Sequence, residues 1–454
     1  MKNIQKAKYT IFLHLFCVLH FKCAENNDSF FKSVREGNLL LTKTYLEQGV
    51  AVNVIDNNGQ TALMIAARQG YVDMVKTLLA RDADVNANNL LSVKTPLMEA
   101  AENGHTAIVK ILIENNADIN LQSPLYGKTA LMLATVRGYS NIVKLLLTNG
   151  ADANIQDAEG NTALLQAING NHKDIVQILL NMGAYLNVGN NYKFTSLLEA
   201  INRGHIDIAL MLINRGADLN AKDKWGYTAL MKAASNGYLS LVKTLLSKNA
   251  DVNARAKGGW TTLMLAVKNE HFDVVKTLVK NNADVNAETY LDNWTALSIA
   301  ASKDNIKIVK FLFDNGAVIK AKIETDEWTI LSKAVIEGRV ELVRLLLDNG
   351  FDINTKNVYG RTALMEAVRY EKTDILKLLI QRGANLDNKD KEGKTALIYA
   401  AMEGHTEALQ ILLKNGADKN IKDNRGFTAL RWATYKGHKQ NSQLIENKKS
   451  HNFD

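Results

Sequence analysis

The chain has few of the residues that cross-link or rigidify a protein chain. Its 454 residues include only two cysteines and two prolines. Both cysteines, Cys17 and Cys23, lie near the N-terminus. The body of the chain therefore contains neither a disulfide framework nor a thiolate metal cluster. We expect it to be stabilised through packing alone.

The apolar run near the N-terminus, Ile11–Phe21, is short. A bilayer-spanning helix needs about 20 residues, so this run is not predicted to cross a membrane. A basic start followed by a short apolar core is typical of a secretory signal peptide. Residues 1–24 are therefore predicted to direct export to the periplasm, the cell surface or the medium. Lys22 is unfavourable for cleavage after Ala24, Cys23 would permit lipid attachment, and the alternative is a cytoplasmic protein with an N-terminal extension.

Motifs for catalysis and cofactors are missing from the chain. It has no G-x-S-x-G nucleophile elbow and no G-x-x-x-x-G-K-[ST] phosphate loop. Six of its nine histidines recur in one phase of a repeat: His105, His172, His205, His271, His405 and His438. Packed helical units lie about 10 Å apart, so these side chains cannot converge on one metal ion. We predict a structural role for them, no cofactor and no enzyme.

What the chain does have is a repeat with a period of 33 or 34 residues, marked by a threonine. The threonines are Thr61, Thr95, Thr129, Thr162, Thr195, Thr228, Thr261, Thr295, Thr329, Thr362, Thr395 and Thr428. A leucine follows two residues after each, and an alanine five residues after. Threonine is a favourable helix N-cap, and a glycine such as Gly70 separates two short helices. Such a period is typical of stacked helical repeats.

The repeat predicts an all-α solenoid of about 12–13 helix-turn-helix units with protruding hairpin loops. Residues 28–60 form a degenerate N-terminal capping unit, in which Asp28 stands at the threonine position and is expected to cap a helix. The array then runs over 61–427. A C-terminal capping unit follows at 428–447, and a disordered tail at 448–454.

The unit resembles the ankyrin repeat, whose core reads T-P-L-H-x-A-A. Here Thr95–Met98 reads T-P-L-M, and most other copies read T-A-L-M or a similar sequence over residues 28–447. Proline survives only at Pro96, and the histidine of the motif is replaced throughout. The resemblance implies a non-catalytic module that binds another protein on its concave, hairpin-bearing face. Low proline with abundant lysine, asparagine and isoleucine favours a bacterial source.

Net charge offers an alternative function. The formal charge is +8, but the 55 basic residues are interleaved with 47 acidic ones. Lysines recur in one phase of the second helix, at Lys76, Lys110, Lys144, Lys243, Lys276, Lys310 and Lys377. They would allow nucleic-acid or acidic-surface binding through the outer helices. Because acidic residues are scattered nearby, we consider nucleic acid the weaker alternative.

Aromatic residues break the uniformity of the repeat. Five consecutive units carry one immediately before the threonine: Phe194, Tyr227, Trp260, Trp294 and Trp328. In ankyrin-like proteins the corresponding position is a variable surface site on the binding face. Aromatic residues dominate interface hot spots, so these side chains are candidate partner-binding residues. The competing interpretation is that each ring packs on a neighbouring loop and stiffens it.

Acidic residues accompany the last two tryptophans. They are Asp292, Glu324, Asp326 and Glu327. An acidic aromatic surface suits a basic segment of a protein partner, because cation–π and charge contacts reinforce each other. The sequence therefore predicts a monomeric scaffold that binds a protein partner, with no small-molecule substrate.

Overall fold

A computed structural model of the chain describes residues 26–88, 94–318 and 329–447. The predicted export segment 1–24 and the predicted tail 448–454 lie outside the described residues. The chain divides into two compact units, Met1–Lys224 and Trp225–Asp454. Each unit is a stack of helix pairs, in which a short inner helix is followed by an outer helix. This arrangement confirms the predicted all-α solenoid.

The described residues of the first unit form six helix pairs. They are α1 (26–35) with α2 (Leu39–Glu47), α3 (Ala62–Gln69) with α4 (Val72–Leu79), α5 (Pro96–Glu102) with α6 (Thr106–Glu114), α7 (Ala130–Val136) with α8 (Ser140–Thr148), α9 (Ala163–Asn169) with α10 (Lys173–Asn181), and α11 (Ser196–Asn202) with α12 (Ile206–Asn214).

In the second unit, the described residues form seven helix pairs and one 3₁₀ turn, Lys257–Gly259. The pairs are α13 (Ala229–Ser235) with α14 (Leu239–Ser247), α15 (Thr262–Lys268) with α16 (Phe272–Lys280), α17 (Ala296–Ser302) with α18 (Ile306–Asp314), α19 (Ile330–Ile336) with α20 (Val340–Asp348), α21 (Ala363–Arg369) with α22 (Thr373–Gln381), α23 (Ala396–Glu403) with α24 (Thr406–Lys414), and α25 (Ala429–Lys436) with α26 (Lys439–Asn447).

The threonines start the inner helices, as predicted. The hydroxyl of Thr61 accepts the backbone N–H of Met64 at 3.3 Å and so satisfies one free donor of the first turn. The same bond caps every other inner helix that follows a repeat threonine except α11, where Thr195 makes none. The predicted cap at Asp28 is wrong. Asp28 lies inside α1, which is already helical at residue 26. Its side chain is exposed and does not stand at the start of the helix.

The core of each unit lies between its inner and outer helices. Leu63 and Ala66 of α3 are buried, as are Val75 and Leu78 of α4. These residues follow the i, i+3 spacing that places one apolar face of a helix toward its partner. Inner helices also pack on the inner helices of adjacent pairs, for example α3 on α5 and α5 on α7.

Four of the six repeat-phase histidines make a bond that fits the structural role predicted from the sequence. The Nε2 atom of His105 donates to the carbonyl oxygen of Arg68 in the preceding pair, at 2.9 Å. Gly70, which ends α3 with φ +83°, lies so close that a Cβ atom there would be 2.7 Å from the His105 ring. The same ring-to-carbonyl bond is made by His172, His271 and His438.

Hairpins connect the helix pairs, and their tips are joined by backbone hydrogen bonds. In the first unit the N–H of Ala158 donates to the carbonyl of Tyr126 at 3.0 Å, and in the second Lys257 donates to Trp225 at 2.9 Å. Each of these bonds fixes the position of one hairpin relative to its neighbour. In the part of the chain that the structure describes, no helix is long and apolar enough to span a bilayer.

Candidate functional site

The described aromatic candidates are half-buried. Phe194 belongs to the first unit, and Tyr227, Trp260 and Trp294 belong to the second. Asp292 is exposed near Trp294. The remaining candidates, Trp328, Glu324, Asp326 and Glu327, lie outside the described residues. The site is therefore built from the second unit, around Trp260 and Trp294.

Trp260 and Tyr227 are partly core residues. Both rings pack against a buried apolar cluster formed by Met231, Ala254, Ala256 and Leu265. The ammonium group of Lys232 lies 5.5 Å from the centre of the Tyr227 ring, and that of Lys268 lies 5.0 Å from the Trp260 ring. Each of these side chains is therefore both packed and partly exposed. The sequence presented packing and exposure as alternatives, and the structure combines them.

Ala256 is the residue that makes this packing possible. In the hairpin before α23, the equivalent residue is Asp390, whose Oδ1 accepts the backbone N–H groups of Glu392 and Lys394, both at 2.9 Å. Alanine cannot make those side-chain bonds. The hairpin before α15 keeps the backbone bond that both hairpins share, in which the N–H of Ala256 donates to the Trp260 carbonyl at 2.9 Å. An apolar cluster thus replaces a carboxylate at this hairpin.

Trp294 is held by the next hairpin. Its backbone N–H donates to the hydroxyl of Thr289 at 2.9 Å, and the N–H of Thr289 donates back to the Trp294 carbonyl at 3.0 Å. The N–H of Tyr290 also donates to the carbonyl of Gly258 at 2.9 Å. Because this bond joins the two hairpins, Trp260 and Trp294 have a fixed separation.

A cleft of about 350 Å³ lies between these two hairpins. Its lining consists of Gly258, Trp260, Lys268, Thr289, Leu291, Asp292, Trp294, Ile299, Ser302 and Lys303. Leu291 is 80% exposed, although it is apolar. The Lys303 ammonium group lies 3.3 Å from the Glu270 carboxylate, so part of the positive charge at the rim is already neutralised.

Sequence reasoning missed the residues at the hairpin tips. Trp225 is 43% exposed and Tyr290 is 63% exposed, and both flank the same hairpins as Trp260 and Trp294. The guanidinium group of Arg255 lies 5.7 Å from the centre of the Tyr290 ring. For Trp225 a signal was present in the sequence, because an aromatic residue three positions before the threonine recurs at Tyr126, Tyr192, Trp225 and Tyr359. Tyr290 lies outside this phase.

The cleft is suited to non-covalent binding of a large apolar side chain. Two tryptophans, a leucine and an isoleucine line it together with five polar residues. Apolar and aromatic walls combined with polar groups are typical of recognition pockets. Within the described ranges, no group of three or more His, Cys, Asp or Glu side chains could hold a metal ion.

A second cluster of titratable groups surrounds Glu366 in α21. Its Oε2 accepts from Nη1 of Arg369 at 2.9 Å, and its Oε1 accepts from Nδ2 of Asn357 at 3.2 Å. Nearby, the hydroxyl of Tyr399 donates to Oδ2 of Asp390 at 2.5 Å. Burial and this hydrogen bond raise the pKa of Tyr399 far above the ordinary phenol value. Glu366 and Tyr399 are buried, and their polar atoms are engaged within the cluster, which indicates a structural role.

Comparison with protein-family models gives one result along nearly the whole chain. A model described as "Ankyrin repeats (3 copies)" matches residues 4–89, 87–157, 131–223, 215–289, 297–390 and 364–453. A second, "Ankyrin repeats (many copies)", matches residues 266–313.

A curated relative is similar over a short segment. The human protein "Ankyrin repeat domain-containing protein 29" is 44% identical over 57 residues, which are 12% of this chain and 19% of the relative. The chain thus spans about a fifth of that relative's length.

Proposed function

We propose that this chain, which belongs to the ankyrin-repeat family, is a non-catalytic scaffold that binds another protein. Ankyrin repeats generally mediate protein–protein interaction, and this scaffold is generally not enzymatic. The contact would lie on the hairpin and inner-helix face of the second unit. The observation that carries the proposal is the cleft between Trp260 and Trp294.

The composition of the cleft supports a protein partner. Exposed Leu291 and Tyr290 stand beside two half-buried tryptophans, and a contiguous apolar surface of this kind is costly unless a partner covers it. Tryptophan and tyrosine are also enriched among residues that dominate binding energy. We infer that an apolar side chain of an extended segment fills the cleft of a monomeric scaffold.

The charged residues of the cleft indicate what charge the partner carries at the contact. The sequence favoured a basic partner because of its acidic residues. Among the described residues, Asp292 is the acidic candidate that lines the cleft, together with Lys268 and Lys303. We therefore propose that a basic residue of the partner faces Asp292, while the apolar side chain carries most of the affinity. The basic contact is thus confined to one residue of the partner.

Peptide selection on the whole chain tests this proposal. Peptides enriched from a phage-displayed library should bind about tenfold more weakly when Leu291 is replaced with glutamate, because the bound apolar side chain would then have to cover a carboxylate. Leu125→Glu is the matched control, since Leu125 is a 64% exposed hairpin leucine of the first unit. Binding is measured by fluorescence anisotropy on synthetic copies of the enriched peptides.

Two outcomes would count against the proposal. One is equal loss of peptide binding in Leu291→Glu and Leu125→Glu, which would indicate a general effect of negative charge. The other is retention of binding in both variants, which would place the contact elsewhere. The basic-residue component has its own check, since Asp292→Lys should weaken the enriched peptides only if they carry lysine or arginine.

We also propose that the chain is exported. The support is the basic start and the apolar run Ile11–Phe21. Mass spectrometry of the native protein should then show a mature chain that begins at Ala24 or close to it, or at a lipidated Cys23. A native chain that retains residues 1–24 would contradict the proposal.

A further inference from the structure

A groove crosses the outer helices of the second unit, on elements that the proposed hairpin contact does not use. It has a volume of about 770 Å³ and runs over α16 between α14 and α18. Its lining consists of Leu239, Lys243, Asp273, Lys276, Thr277, Lys280, Asn281, Phe311 and Asn315.

The groove is basic. Three of its lining residues, Lys243, Lys276 and Lys280, are exposed lysines. Asp273 is its one lining carboxylate, and it lies 3.8 Å from the Lys276 ammonium group. Among the described residues, no carboxylate forms an ion pair with Lys243 or Lys280. Two ammonium groups therefore remain available to an incoming anion.

The groove also has an apolar floor that distinguishes it from other outer-helix grooves. Phe272 and Phe311 pack edge to face, with ring centres 5.5 Å apart. In the outer helices from α4 to α26, phenylalanine occurs only in α16 and α18. Leu239 of α14 extends the apolar surface across the groove. This groove therefore combines exposed lysines with a phenylalanine.

We propose that this groove binds an acidic peptide segment of a protein partner. Carboxylates of the segment would pair with Lys243, Lys276 and Lys280, and an apolar side chain between them would lie on Leu239 and Phe311. Charge complementarity steers such an encounter, and the apolar contact adds affinity that salt does not screen.

The ring geometry favours a peptide over a single-stranded nucleic acid. Binding of single strands depends on aromatic faces on which bases stack. The Phe272 ring instead has the ammonium groups of Lys307 and Lys276 at 4.1 Å and 5.6 Å from its centre. Phe311 packs against it as well. Phe272 is therefore already engaged by two lysines and a neighbouring ring, which leaves less of it for a base to stack on.

A labelled peptide of glutamate pairs separated by single leucines is the probe, used with the full chain. Charge reversal of the groove, Lys243→Glu with Lys276→Glu and Lys280→Glu, should weaken its binding about tenfold in fluorescence anisotropy. The matched control reverses Lys76, Lys110 and Lys144, which are exposed lysines on outer helices of the first unit. Both triple variants lower the net charge by the same amount. Circular dichroism shows whether each variant is folded.

Two companion probes separate the sources of affinity. A glutamine–leucine peptide of the same length should fail to bind, and Phe311→Ala should weaken the glutamate–leucine peptide without changing its salt dependence. The proposal is overturned if both triple variants lose the same affinity, which would indicate general attraction to a basic protein. It is also overturned if oligothymidine binds the groove lysines more tightly than the peptide does, which would indicate a nucleic-acid surface.

Discussion

Replacing Glu366 with alanine is expected to lower the local free energy of unfolding around α21 and α23 by about 3 kcal/mol. The Glu366 side chain is fully buried, and it accepts hydrogen bonds from Arg369 and Asn357. Arg361 also lies 4.0 Å from its carboxylate. Alanine would leave two guanidinium groups and one amide without their common partner.

The exposure of the arginines limits the size of this effect. Their side chains are 19% and 23% exposed at Arg361 and Arg369, so water can solvate them in part after the carboxylate is removed. The loss should therefore fall at the lower end of the roughly 3–5 kcal/mol that accompanies a broken buried ion pair. Glu366→Gln should cost less, since the amide oxygen can still accept a hydrogen bond.

Glu341→Ala is the matched control for this prediction. The Glu341 side chain is 61% exposed, and it pairs with Arg344 at 3.6 Å on the surface of α20. Exposed pairs of this kind contribute about 0–1 kcal/mol. Hydrogen exchange of the backbone amides of α21 and α23 measures both variants. Equal exchange rates in Glu366→Ala and Glu341→Ala would show that the buried cluster does not stabilise these helices.

Much of the fold could be predicted from the sequence because it is set by local chemistry that repeats. A threonine such as Thr61 is followed by leucine and alanine at fixed distances, and each of these residues acts within its own helix pair. The role of His105 was also predictable, since a ladder of rings in one phase cannot converge on a metal ion. The aromatic candidates before the threonines were likewise visible as departures from the repeat.

The part that could not be predicted depends on contacts between different phases of the repeat. Trp260 packs as it does because Ala256 and Leu265 provide an apolar cluster, and neither residue is unusual when read alone. The cleft beside it is lined by Trp260, Trp294 and Leu291, which come from two hairpins and from different phases of the repeat. Leu291 belongs to a lengthened loop, so its exposure did not follow from the periodic positions.

The hairpin bond between Tyr290 and Gly258 leads to the second large prediction. Gly259→Ala should lower the local stability of the hairpins before α15 and α17 by about 2–3 kcal/mol. Gly259 has φ +85°, and a Cβ atom there would lie 2.9 Å from the backbone nitrogen of Tyr290. That nitrogen belongs to the donor of the bond between the hairpins. The collision cannot be relieved by a rotamer change, so the hairpins must separate.

Gly316→Ala provides a control with the same backbone conformation. Gly316 has φ +84°, but no atom lies within 4 Å of a Cβ placed there. Both variants therefore carry the cost of about 1 kcal/mol for a left-handed alanine, and only Gly259→Ala adds the collision. Hydrogen exchange should show faster opening of the hairpins in Gly259→Ala than in Gly316→Ala. Because Trp260 and Trp294 are positioned by these hairpins, Gly259→Ala should also weaken the peptides that Leu291→Glu weakens. If it opens the hairpins but leaves those peptides bound, the contact does not depend on the separation of the two tryptophans.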